Sequence, residues 1–187
     1  MPDKSVRTIR DLIHYQYAKI IARSAFGVAD GKEAKKKHYG FIHNTLSDLR
    51  SGRKNWSDIT REDWQALDAG RVCAYCNASD LLEREHIVPR SLKINDRCPT
   101  CEHLQQIHNQ VLSCFNCNHT KMASGLYEFY RKTHPEEKKY YDLIPSLLEK
   151  KYLKTIYKCH ECASTLDGGD IDGDGEITVL DIDFILH

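Results

Sequence analysis

The sequence predicts an α+β fold, with helices at both ends of the chain and a short β segment between them. Three observations lead there. Val6, Ile9, Ile13, Tyr17 and Ile20 recur at three- and four-residue steps, the spacing of an amphipathic helix. Two Cys-x-x-Cys pairs, 73/76 and 114/117, bracket the stretches that read as strands. Pro135 and Pro145 stand where the first turn of a helix accepts proline.

In chain order, a first helix runs from Lys4 to Phe26 and is ended by Gly27 and the Asp30-Gly31 pair. A second spans Glu33 to Arg50, with Lys35, Lys36 and Lys37 on or near its exposed side, either solvated or facing phosphate. Thr60 followed by Asp63 reads as a capping box opening a short helix with Trp64 and Leu67. Trp56 and Trp64 are expected to pack rather than to stack on bases. A strand leads into His86 and is closed by Pro89, which cannot donate to a ladder. Residues 92–103 form an inserted loop carrying Cys98 and Cys101, and 104–113 contain the second strand. A helix from Cys114 to Tyr130, interrupted at Gly125, is followed by helices over 136–143 and 146–157. Four regions result: 1–70 helical, 71–130 central module, 131–163 further helices, and 164–187 an acidic tail.

Charge is balanced overall, with 27 basic and 27 acidic residues, but unevenly spread. Residues 1–56 carry twelve Lys/Arg against five acids, a net of +7, and residues 166–187 carry seven acids and no Lys or Arg. The basic front end suits a polyanionic partner. All eight cysteines lie in Cys-x-x-Cys pairs. With no apolar leader at Met1-Pro2-Asp3-Lys4 and no run long enough to span a membrane, a reducing, cytoplasmic setting with zinc is expected over a disulfide framework.

The central residues carry the chemistry. Cys73, Cys76, Cys114 and Cys117 supply the four thiolates of a tetrahedral structural zinc. Between the pairs, His86 can accept a proton from water, while neighbouring Glu85 and a later amide oxygen can hold a hard divalent cation. Glu85-His86-Ile87-Val88-Pro89-Arg90-Ser91, Asn109-x-Val111-Leu112 and Cys114-x-x-Cys117-Asn118-x-x-Lys121 together resemble the HNH, or ββα-metal, endonuclease family, over about Cys73 to Ser124. The resemblance implies a β-hairpin followed by a helix, with His86 on the first strand and Asn118 at the start of the helix. It makes His86 the general base, Asn109 the residue that orients the catalytic loop, and Asn118 with Glu85 the ligands of a Mg²⁺-like ion. Asparagine stands at 118 where many members have histidine. Arg90 and Lys121 are expected to neutralise phosphates.

Cys98, Cys101, Cys159 and Cys162 are expected to form a second zinc site, with local disulfides or redox dithiols as the alternatives. Asp170, Asp172, Asp174, Glu176, Thr178 and Asp181 fall at positions 1, 3, 5, 7, 9 and 12 of a calcium loop, with Gly175 at position 6. The stretch resembles an EF-hand loop or one dockerin-type repeat; a plain acidic tail is the alternative. The expected function is metal-dependent hydrolysis of phosphodiester bonds in nucleic acid, DNA first, with no membrane partner. Two rival readings are a zinc-stabilised nucleic-acid-binding module without cleavage and a calcium-dependent protein-interaction protein acting through the tail.

Overall fold

A computed structural model describes residues 3–27, 31–57, 59–68, 70–92 and 102–187. The first helix, α1 (Ile9–Phe26), begins later than its apolar spacing suggests, because Thr8 adopts extended backbone and its hydroxyl accepts from the Asp11 N–H. Gly27 ends it at φ 72°, a conformation glycine adopts without strain. α1 buries more than one stripe: Leu12, Ile13, Tyr17 and Ala18 are covered, and so are His14 and Gln16. It lies between α2 (Gly31–Arg50) on one side and α6 (Ser146–Ala163) and α7 (Val179–Asp183) on the other. α3 (Ile59–Asp68) starts at Ile59, so Thr60 is inside its first turn instead of capping it. Trp56 packs on Tyr17 with ring centroids 4.5 Å apart, but Trp64 is 65% exposed, against the expectation of a packing role.

The central segment contributes a two-stranded antiparallel sheet, β1 (Leu82–His86) and β2 (Gln110–Cys114), in register from Leu82↔Cys114 to His86↔Gln110. α4 (Phe115–Lys121) follows β2 without a loop, since Cys114 is both the last strand residue and the residue preceding the helix. The helix expected over 114–130 is divided at Gly125, where α5 (Leu126–Thr133) begins. The helix expected over 136–143 reduces to a 3₁₀ turn at Tyr140–Leu143. α6 instead runs past its expected end to Ala163, because Leu148, Tyr152, Ile156 and Cys159 prolong its apolar face.

One hydrophobic core joins Ile13 and Tyr17 of α1, Ile87 and Val88 after β1, Tyr127 and Tyr130 of α5, Tyr152 and Ile156 of α6, and Val179 and Ile182 of α7. Residues 164–187 are therefore docked rather than appended. The N–H groups of Ile9 and Arg10 donate to the carbonyls of Gly168 and Leu166 at 2.7 and 2.8 Å. His160 Nε2 lies 3.0 Å from the Ile182 carbonyl. Among the described residues, no helix is long and apolar enough to cross a membrane.

Asp183 is the joint between tail and module. Gly125, lacking a side chain, cannot cap α5 itself; the Asp183 carboxylate does so, accepting from the Glu128 N–H at 2.7 Å and from the Tyr152 hydroxyl at 2.5 Å. A Cβ at position 125 would collide with that carboxylate. Burial raises Asp183 from 3.8 to about 7, against the lowering effect of the Tyr152 and Glu128 donors. Between those two values the folded chain keeps a proton that the unfolded chain has released, so this group makes stability fall as pH rises through the window. Asp183→Asn, a mimic of the protonated form, should match the wild type in melting temperature near pH 4.5 and exceed it near pH 7.5. Parallel melting curves across that range would rule out Asp183 as the source.

Candidate metal centre and hydrolytic site

The four thiols of Cys73, Cys76, Cys114 and Cys117 all lie within 4.8 Å of one another. Each pair is made by local backbone. Cys73 and Cys76 lie in a turn in which the Asn77 N–H donates to the Cys73 carbonyl and the Cys73 N–H to the Ala78 carbonyl, with Asn77 at φ 61°. Cys114 and Cys117 sit at the start of α4. The Ala74 N–H donates to the Leu112 carbonyl at 2.8 Å, which pins the first turn to β2. The Sγ atoms of Cys76 and Cys114 are 3.7 Å apart, close to the ~3.8 Å edge of a tetrahedron with ~2.3 Å zinc–sulfur bonds. Burial opposes ionisation of Cys73, yet the N–H groups of Cys114, Tyr75 and Cys76 bring its thiol down to about 7. Burial and the surrounding sulfurs push Cys117 up. The set fits a structural zinc, whose charge favours all four thiolates.

Asn109 is fully buried directly before β2. Its Oδ1 accepts from the Val88 N–H at 2.8 Å, and its Nδ2 donates to the carbonyls of Val88 and Leu104, both at 2.9 Å. Its own carbonyl accepts from the Ile87 N–H at 2.9 Å. One amide thus holds the backbone that follows His86.

His86 is the last residue of β1 and is half-buried. Burial first, then the positive charge of Arg90, lowers its pKa from 6.5, which keeps the imidazole neutral and able to accept a proton at neutral pH. Arg90 is exposed in the turn beyond.

The face of the hairpin against α4 differs from the sequence expectation. Glu85 is buried and pairs with Lys121, whose Nζ is 3.0 Å away and whose side chain is 0% exposed. Lys121 therefore has no surface to offer a phosphate, and the Glu85 carboxylate faces an ammonium rather than an open cation position. Removing one member of such a buried pair costs about 3–5 kcal/mol, because the other charge stays buried. Asn118 instead meets Glu83, donating from Nδ2 to Oε1 at 2.7 Å on the exposed surface. Strand alternation puts 83 and 85 on the same face, and that periodicity was the signal by which Glu83 could have been found. Among the described residues, no hydrogen bond or ion pair joins His86 to Asn118 or to Glu85.

Cys159 is buried and Cys162 half-buried on the last turns of α6. Cys98 and Cys101 lie outside the described residues, and so does the second zinc site. In the tail, the carboxylates of Asp170, Asp172 and Asp174 come within 4.8 Å of one another at the surface. Asp181 is fully buried and turned onto backbone, accepting from the N–H groups of Ile171 and Thr178 at 2.8 and 2.7 Å. Glu176 is exposed at the surface.

Elemental analysis of chain purified without added metal should find zinc, and Cys114→Ser should lower the content by one equivalent and unfold the hairpin. Unchanged zinc content in that variant would remove the four-cysteine assignment. Comparison with protein-family models, curated proteins and solved structures finds no match to this chain, so the arrangement of its own residues carries the functional reading.

Proposed function

We propose that the chain is a metal-dependent endonuclease of the HNH kind, hydrolysing phosphodiester bonds in nucleic acid, with DNA as the first substrate to test. The observation that carries this reading is the set of polar side chains on one hairpin and the helix that follows it. A neutral histidine ends a strand, a buried asparagine secures the backbone beside it, and an amide on the following helix meets an exposed carboxylate. A cysteine clamp ties strand to helix. His86 takes the proton from the attacking water, and Arg90 balances charge on the phosphate. Asn118 and Glu83 supply the oxygen ligands that a hard divalent cation prefers. Asn118 and Glu83 would hold an ion such as Mg²⁺, which would supply charge stabilisation to a phosphate. Glu85 and Lys121 serve this reading by fixing α4 against β1.

A plasmid-cleavage assay with added Mg²⁺ tests the proposal. His86→Ala should lower cleavage by about 10²–10⁴-fold, the span of a lost general base, with zinc content and melting temperature unchanged. The wild-type rate should fall on acidification, with its midpoint below 6.5, as His86 takes on a proton. Cleavage undiminished in the variant would show that His86 is not the base.

A second binding function is favoured by the clustered Asp170, Asp172 and Asp174. We infer weak calcium binding by this loop, with affinity around 10⁻⁴–10⁻³ M, since the loop is exposed and its position-12 carboxylate is occupied by backbone. Calorimetry with millimolar calcium should register uptake that Asp172→Asn reduces. A flat titration would leave the segment as a surface loop only.

A further inference from the structure

The first turns of α2 are built against the rules that stabilise a helix. Every buried residue of α2 lies in its second half, at Ile42, Thr45, Leu46 and Leu49. The segment Gly31 to Phe41 thus extends along the surface with little apolar support. Its cations Lys32, Lys35, Lys36 and Lys37 are all exposed, and Glu33 is the single acid among residues 31–41. Among the described residues, none of the four ammonium groups has a carboxylate partner. Positive charge near a helix N-terminus opposes the macrodipole, and like charges at i, i+4, as at Lys32 and Lys36, repel. An aromatic ring borders this end of the helix pair: Phe26, at the end of α1, is 55% exposed and lies edge-on to Phe41 of α2.

Each of these features costs stability in the free chain, and a chain of phosphates relieves them together. It neutralises the repulsion, supplies the anions that a helix N-terminus favours, and offers bases against which an exposed ring can stack. We propose that the N-terminal half of α2, with Lys32, Lys35, Lys36 and Lys37, is a nucleic-acid backbone contact separate from the hydrolytic site. It binds by charge, without reading sequence. The proposal deepens the nuclease reading by giving the substrate a second hold, but it stands on α2 alone.

Binding of a labelled 20-base-pair duplex by the full chain, measured by fluorescence anisotropy in buffer without added divalent ion, provides the test. The wild type should bind with strongly salt-dependent affinity. The combined Lys32→Gln, Lys35→Gln, Lys36→Gln, Lys37→Gln variant keeps helix-forming side chains and should retain its circular dichroism, with a melting temperature equal to or above that of the wild type. It should bind roughly tenfold or more weakly at low salt, with a log–log salt slope flatter by about two to four, since each phosphate contact contributes ~0.9. Equal affinity and slope in variant and wild type would overturn the proposal. Lysine-dependent binding to phosphatidylserine vesicles without duplex binding would overturn it in favour of a lipid surface. Wild type that binds through these lysines but never cleaves would remove the nuclease reading and leave this one standing.

Discussion

The four-thiol clamp at the open end of the hairpin is the constraint on which the central module depends. Two five-residue strands form a sheet that is marginal by itself in water. Cysteines 73 and 76 precede β1, whereas 114 and 117 straddle the junction of β2 and α4. One tetrahedral ion would hold the entry of β1, the exit of β2 and the helix start in a single unit. The register from Leu82↔Cys114 to His86↔Gln110 follows from that anchor, and with it the position of every polar side chain on the hairpin.

A second tier of buried polar contacts then fixes the other end, where the connection between the strands begins and ends. Asn109 satisfies four hydrogen-bonding groups of the surrounding backbone and itself, so its replacement by an apolar residue would orphan buried carbonyls. The Glu85–Lys121 pair ties the far end of α4 to β1 in the same way. Clamp and pair act at opposite ends of one short helix. Between them, Asn118 is held at the surface beside Glu83.

Much of this was legible in the residues, and the rest was hidden for identifiable reasons. Periodicity exposed α1 and α2, and Cys-x-x-Cys spacing exposed the clamp, because both signals are local. Gly125 was legible as a break, but not as a contact, since its partner Asp183 lies on a distant element. The pairing of Glu85 with Lys121 is not legible in the residues, because a carboxylate and an ammonium look the same in sequence whether they face solvent or each other. Only the strand register and the helix placement decide between those cases. Glu83 was overlooked for the converse reason: it stands outside the contiguous motif, yet the two-residue repeat of a strand puts it beside Glu85. Trp64 shows the limit of residue type as a guide to burial, as its helix turns that ring outward.

The cap that Asp183 places on α5 has a consequence for the order of assembly. α5 directly follows the helix of the cysteine-clamped module, and its first turn is completed by a carboxylate that lies much later in the chain. The backbone around Ile9 and Arg10 likewise waits for Leu166 and Gly168. During synthesis the hairpin and its cysteines therefore emerge well before the core that supports them can close.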